Sequence, residues 1–199
     1  MLLNKTRGRD TKVLLGLGLL ATVLTSPVLV SGTGGYLLVK TVGSLLIALC
    51  AMGRVYCTAF LGGYKNQRLI TGGPFSVCRN PLYVCSFVGV CGIALVSCHL
   101  VIMVLLPLGL WRVYEALVIR EEQFLRQTFG QDYADYCAVT PRFVPALVRF
   151  RLPETVAADP RLLMLAVRDG MAWFFVLPVF DFIDYLHRAG LLTSLFRLP

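Results

Sequence analysis

From Leu82 to Ile119 the chain reads LYVCSFVGVCGIALVSCHLVIMVLLPLGLWRVYEALVI. The stretch is apolar almost throughout, is interrupted only near Ser97, Cys98 and His99, and meets its first charges at Arg112 and Glu115. About 20 apolar residues suffice to cross bilayer hydrocarbon, so two such runs joined by almost no connection predict a hairpin of membrane-crossing helices. Pro107 predicts a bend in the second of them, because proline removes a backbone donor and crowds the preceding turn. His99, at the hairpin tip with no second His or Cys cluster nearby, reads as a solvated interfacial residue.

Outward from this hairpin the pattern repeats. An apolar run from Val13 to Ser31 follows Lys5, Arg7, Arg9 and Lys12, with no small-x-small cleavage site after it, so it reads as an uncleaved first span. A second run, Tyr36 to about Phe60, is entered through Gly32-Thr33-Gly34-Gly35, and the two form a tight antiparallel hairpin. Lys40 and Arg54 lie near the ends of that second run, where long side chains snorkel to the interface. With 57% hydrophobic and 15% charged residues, too little polar surface exists to cover a water-soluble globule. The net charge of +8 sits mostly between apolar runs, without a basic face interleaved with aromatics, and reports membrane orientation, not a nucleic-acid partner. The seven cysteines form no CxxC pair and read as small apolar packing residues.

Two polar regions bracket the central hairpin. Gly62–Pro81 has loop composition, with Gly62-Gly63 and Gly72-Gly73-Pro74, and Arg120–Pro160 is the most polar part of the chain. Lys and Arg are absent from both short outer loops, so the N-terminus and these two regions are expected in the cytoplasm. The last apolar stretch, Leu162–Leu186, contains Arg168, Asp169, Asp181 and Asp184, costly in hydrocarbon, and either spans or lies at the interface. The expected fold is an all-α, polytopic helical membrane protein: a first transmembrane hairpin in residues 1–61, a core of second hairpin and cytoplasmic segment in 62–160, and a C-terminal membrane or interfacial helix in 161–199.

A hairpin returns the chain to its starting side, so the clusters that flank it meet at the cytoplasmic surface. The first is Gly72-Gly73-Pro74-Phe75-Ser76-Val77-Cys78-Arg79-Asn80-Pro81-Leu82-Tyr83. The second comprises Arg120-Glu121-Glu122, Phe129-Gly130-Gln131-Asp132-Tyr133, Tyr136 and Thr140-Pro141-Arg142-Phe143-Val144-Pro145. Together, over roughly Gly62 to Pro145, they resemble the membrane methyltransferases that include isoprenylcysteine carboxyl methyltransferases and phospholipid N-methyltransferases. That family shows Arg-His-Pro-x-Tyr after a Gly-Pro-Tyr/Phe approach, then a helical hairpin, Glu-Glu, Phe-Gly-x-x-Tyr-x-x-Tyr and a closing Pro-Arg-x-x-Pro. Asn80 departs from it, standing where many members carry His, and loses a group that titrates near neutrality.

The resemblance implies S-adenosylmethionine as cofactor and a membrane lipid or other lipophilic substrate as acceptor, with no metal. The implied cofactor residues are Gly73, Pro74, Arg79, Asn80, Pro81, Tyr83, Glu121 and Glu122. A sulfonium and an ammonium favour the carboxylates, the cofactor's own carboxylate favours Arg79, and the glycines allow close backbone approach. Tyr83 or Phe75 suits adenine or the sulfonium. Arg79, Arg112 and Glu122 are the candidate catalytic residues. On an ideal wheel Arg112, Glu115 and Glu122 fall within about 80°, a polar stripe that either lines the pocket or ties helices together, while Glu121 sits about 100° from Glu122. Both acids reach one ligand most easily if the helix ends or bends there. Rival readings are a non-catalytic membrane scaffold or small transporter subunit, and a sterol-type membrane reductase using NADPH.

Overall fold

The computed structural model describes Gly16, Thr22 and residues 32–62 and 68–192. Apart from Gly16 and Thr22, the expected span Val13–Ser31 lies outside the described residues, as do the basic residues Lys5, Arg7, Arg9, Lys12 and Lys65. Among those described, the chain is all-helical: α1 (Gly34–Leu61), α2 (Pro74–Val77), α3 (Pro81–Ser97), α4 (Leu100–Val139), a 3-10 turn at Leu147–Arg149, α5 (Pro160–Phe174) and α6 (Val176–Arg188). Gly34–Leu61, Leu100–Val139 and Pro160–Arg188 are each long and apolar enough to cross a membrane. α3, with 17 residues, is shorter, and at about 1.5 Å per residue it nearly matches the hydrocarbon thickness. α4, with 40 residues, is about twice as long as a bilayer requires, so its polar half has length to project beyond it.

The helices are apolar around much of their circumference because lipid, unlike water, exacts no penalty for an outward Leu or Val. Leu37, Leu45, Met52, Leu105 and Leu108 are all exposed accordingly. α4 does not break at Pro107. Its one residue with non-helical backbone is Gly130, at φ 54° and ψ −122°, a conformation strained for residues with a Cβ.

The turn joining α3 to α4 consists of Cys98, at φ 53°, and His99. His99 is a correction to the sequence reading: only 1% of it is exposed. The connection is too short to lift the ring into solvent, and its Nδ1 meets the Ser97 carbonyl oxygen while its N–H donates to Ser97 Oγ at 3.2 Å.

The chain forms two compact units. One comprises the described residues up to Leu49 with Phe87–Tyr114 and the segment from Ala172. Its core gathers Ile47, Val90, Ile93, Val96, Ile102 and Phe180. Here α1 and α3 touch backbone to backbone: a Cβ on Gly43 would stand 2.8 Å from the Gly92 carbonyl oxygen, and one on Gly92 would stand 2.6 Å from that of Gly43. The same unit holds a polar lock, in which Lys40 Nζ donates to Asp181 Oδ1 at 2.5 Å and to Asp184 Oδ2 at 3.0 Å, and Tyr36 Oη donates to Asp184 Oδ2 at 2.6 Å. The other unit comprises Cys50–Ser86 and Glu115–Met171. Arg54, the second basic residue of α1, donates from Nη1 to Ser86 Oγ at 2.5 Å within this unit. Of the seven cysteines, Cys50, Cys57, Cys78 and Cys98 are buried, in keeping with a packing role.

Candidate active site

The site lies wholly in the second unit and begins at Gly72-Gly73-Pro74. Gly73 adopts φ 58° and ψ −132°, and an added Cβ would stand 2.2 Å from Phe60 Cε1, so this turn admits glycine alone. Pro74 then starts the single turn α2, where its missing N–H costs nothing. Backbone bonds bind the segment to the chain after α4. Gly73 N donates to the Arg151 carbonyl at 2.8 Å, Ala146 N to that of Val77 at 2.9 Å, and Arg79 N to that of Pro141 at 2.8 Å. Ser76 Oγ donates to Gly73 O at 2.7 Å and accepts from Arg151 N at 3.0 Å. Asn80 Nδ2 donates to the Arg142 carbonyl at 3.2 Å, so an amide that cannot act as an acid or base here serves to hold the loop.

Past the kink at Gly130, Tyr133, Tyr136 and Cys137 share one helical face, as their three- and four-residue spacing dictates. Both tyrosines are buried, and Tyr136 Oη donates to the Phe75 carbonyl at 2.6 Å. The glycine of Phe-Gly-x-x-Tyr-x-x-Tyr supplies the kink and the tyrosines supply the packing.

The two acids of α4 take different partners. Glu122, 6% exposed, sits between two guanidinium groups. Arg142 donates to it twice, Nε to Oε1 at 3.1 Å and Nη2 to Oε2 at 2.6 Å, and Arg79 Nη1 lies 3.2 Å from Oε1. Those bonds hold the Arg142 guanidinium above its ordinary pKa. Arg79 Nη1 also donates to Cys137 Sγ at 3.0 Å, while its buried Nε has no hydrogen-bond partner. Glu121 instead accepts from Tyr83 Oη at 2.9 Å. The roughly 100° separation on the wheel persists because the backbone of α4 stays helical through both acids and departs from helical geometry at Gly130.

An open cleft is lined by Arg79, Asn80, Pro81, Tyr83, Glu121 and Tyr136, among others. Five of the sequence-derived candidates thus converge on one surface. Gly73, Pro74 and Glu122 are not among its lining residues: Phe60 fills the space beside Gly73, and Glu122 is occupied by the two arginines. Arg112 is exposed in the other unit and does not line the cleft. Tyr136, Arg142 and Cys137 belong to the arrangement although none stood among the candidates. The tyrosine and the arginine were visible as letters of the second cluster, whereas nothing in the pattern marks Cys137.

The described residues, all helical, combine membrane-length apolar helices with a charged cleft built from the loop before α3 and the polar half of α4, which defines a helical membrane protein with a polar site. The family model for phospholipid methyltransferase matches residues 27–132, more than half the chain, and the chain belongs to that family. Among curated relatives, the cobalt-zinc-cadmium resistance protein CzcN of Cupriavidus metallidurans is 33% identical over 162 residues, 81% of this chain and 74% of its own. The nickel-cobalt-cadmium resistance protein NccN of Alcaligenes xylosoxydans xylosoxydans is 30% identical over 159 residues, covering 80% and 74%. The protein-S-isoprenylcysteine O-methyltransferase of Schizosaccharomyces pombe is 29% identical over 83 residues, covering 42% and 35%. No solved structure matches significantly. Among the described residues, no group of three or more His, Cys, Asp and Glu side chains forms a metal-ligand set.

Proposed function

We propose that this protein moves a methyl group from S-adenosylmethionine to a lipophilic acceptor presented by the bilayer, with the cleft at the start of α3 as the cofactor site and its mouth, like the N-terminus, in the cytoplasm. The observation that carries the reading is the convergence of Arg79, Asn80, Pro81, Tyr83 and Glu121 on one cleft. The groups suit the guest. Two guanidinium groups around one carboxylate leave a net positive charge beside the cleft, and the buried Arg79 Nε is a donor still without an acceptor, so a ligand carboxylate is favoured there. Glu121 brings a carboxylate for a cation, held by Tyr83.

S-adenosylmethionine supplies a methyl carbon already activated by a positively charged sulfur. The residues therefore need only bind, align and shield, and positioning and fixed charge account for the expected acceleration. Arg79 anchors one end of the ligand, and Tyr83 aims the Glu121 carboxylate. An acceptor carboxylate or thiolate needs no further help. An ammonium acceptor must first lose a proton, and Glu121 is the base at the cleft. The acceptor is the carboxylate, amine or thiol of a lipid or prenylated group.

Calorimetry on detergent-purified protein tests the reading, with Arg79→Lys as the informative variant. Lysine keeps the charge but not the planar fork, and the loss of charged hydrogen bonds predicts roughly a 10- to 150-fold drop in S-adenosylmethionine affinity. Because Arg79 also faces Glu122, thermal stability is measured alongside. Unchanged affinity in a stable variant overturns the assignment. Binding of NADPH in place of S-adenosylmethionine would instead indicate the reductase, and binding of neither would indicate a scaffold.

The extensive coverage by CzcN and NccN favours a second statement, about purpose: methylation at the membrane supports tolerance of cobalt, zinc, nickel or cadmium. Deletion of the gene is then expected to lower growth on those metals and on no others, and parental growth would remove the statement.

A further inference from the structure

The segment Arg142–Leu152, RFVPALVRFRL, falls in the most polar part of the chain, yet the structure turns its apolar side chains outward. Val144, Leu147 and Leu152 are 78%, 76% and 65% exposed, Val148 is wholly exposed, and Phe150 is nearly half exposed. Arg149 and Arg151 stand among them, both exposed, and neither guanidinium has an ionic partner among the described residues. No acidic residue occurs in the segment. Water alone is a poor environment for such a surface, and alternation of aliphatic and aromatic side chains with unpaired arginines matches the boundary between acyl chains and anionic headgroups.

The loop is also held where that boundary should be. Its backbone is bonded to Gly73, Ser76 and Val77, and five residues beyond Ser76 the chain enters apolar α3 at Pro81. The exposed apolar loop is thus fixed beside the start of an apolar helix of near membrane-crossing length.

We propose that residues 144–152 dock on the membrane that holds the protein, with Leu147, Val148 and Phe150 entering the headgroup–acyl boundary and Arg149 and Arg151 binding the phosphates of anionic lipids. Docking bears directly on the segment that ends in Arg79, because the loop's own backbone holds that segment in place. The proposal stands apart from cofactor use, and its test requires no turnover.

The test is a Val148→Trp variant compared with the parent protein in proteoliposomes containing phosphatidylglycerol, the difference in fluorescence reporting the added indole. Val148 makes no buried contact to lose. The indole is expected to be quenched by lipids brominated high on the acyl chain and shielded from aqueous acrylamide. Adding Arg149→Gln and Arg151→Gln, or replacing phosphatidylglycerol with phosphatidylcholine, is expected to weaken docking about 5-fold for each arginine disengaged, read as lost lipid quenching. An indole open to acrylamide and untouched by brominated lipid overturns the proposal. One shielded from both quenchers shows that a protein surface covers the loop, which overturns it equally. Lipid quenching unaffected by either arginine change or lipid change would overturn the role given to the headgroups.

Discussion

Glu122→Ala is expected to lower the unfolding free energy of the ligand-free protein by about 3–5 kcal/mol, the usual cost of removing one partner from a buried ionic cluster. The carboxylate is 6% exposed and serves two guanidinium groups. Arg142 is 43% exposed and can turn to water when its acceptor vanishes. Arg79 has far less freedom: its side chain is 14% exposed, its Nε already lacks a partner, and its other side-chain hydrogen bond is to Cys137 Sγ. The loss therefore falls on the more buried arginine. Glu122→Gln retains an acceptor oxygen and is expected to lose about 1.5–3 kcal/mol, the charge-assisted part of the bonding. Glu154→Gln, at an exposed residue beyond the site, is the control and should stay within about 0.5 kcal/mol. Chemical denaturation in detergent, without cofactor, distinguishes the roles. Parental stability in Glu122→Ala would show that the carboxylate is not the clamp holding Arg79 and Arg142.

The meeting of the clusters that carry Arg79 and Glu122 was legible in the sequence because a hairpin must bring its two ends back together, but the ion pair between the two side chains was not. The separation of Glu121 from Glu122 was legible too, from helical geometry alone, although the bend that would have reunited them occurs instead at Gly130. Other features depend on partners far along the chain. Lys40 reads as a snorkelling side chain and Asp184 as a costly charge in an apolar run, and no local pattern encodes that residues 144 apart neutralise each other. Gly73 looks like an opening for a ligand until Phe60 is found filling it. The composition of 142–152 suggests a polar loop, since counting arginines says nothing about which way the intervening Leu, Val and Phe side chains point. Sequence periodicity reports the solvent of a helix well and the surroundings of an irregular segment poorly.

Lys40→Met should be as damaging as the loss of Glu122, for the same physical reason in a drier setting. Asp184 is 3% exposed, and its Oδ2 accepts from Lys40 Nζ at 3.0 Å and from Tyr36 Oη at 2.6 Å. Asp181, the other partner of Lys40, is 65% exposed and keeps access to its surroundings when the lysine is lost. The lysine also lies 4.7 Å from the centre of the Tyr36 ring, so one ammonium group organises the whole cluster. Methionine preserves most of the side chain's length and apolar contact, which leaves the uncompensated Asp184 carboxylate as the dominant change and predicts a loss of about 3–5 kcal/mol. The double variant Lys40→Met/Asp184→Leu decides the cause. With neither charge present, no desolvated ion remains, and the double variant should recover most of the loss or exceed parental stability by about 1–4 kcal/mol, as hydrophobic replacement of a buried ion pair often does. Thermal unfolding of the four proteins of the cycle, including Asp184→Leu alone, gives the coupling. A double variant no more stable than Lys40→Met would mean that lysine packing, not charge compensation, joins α6 to α1. Recovery would mean that the aspartate so costly in the last apolar run is tolerated there because α1 supplies its counter-ion.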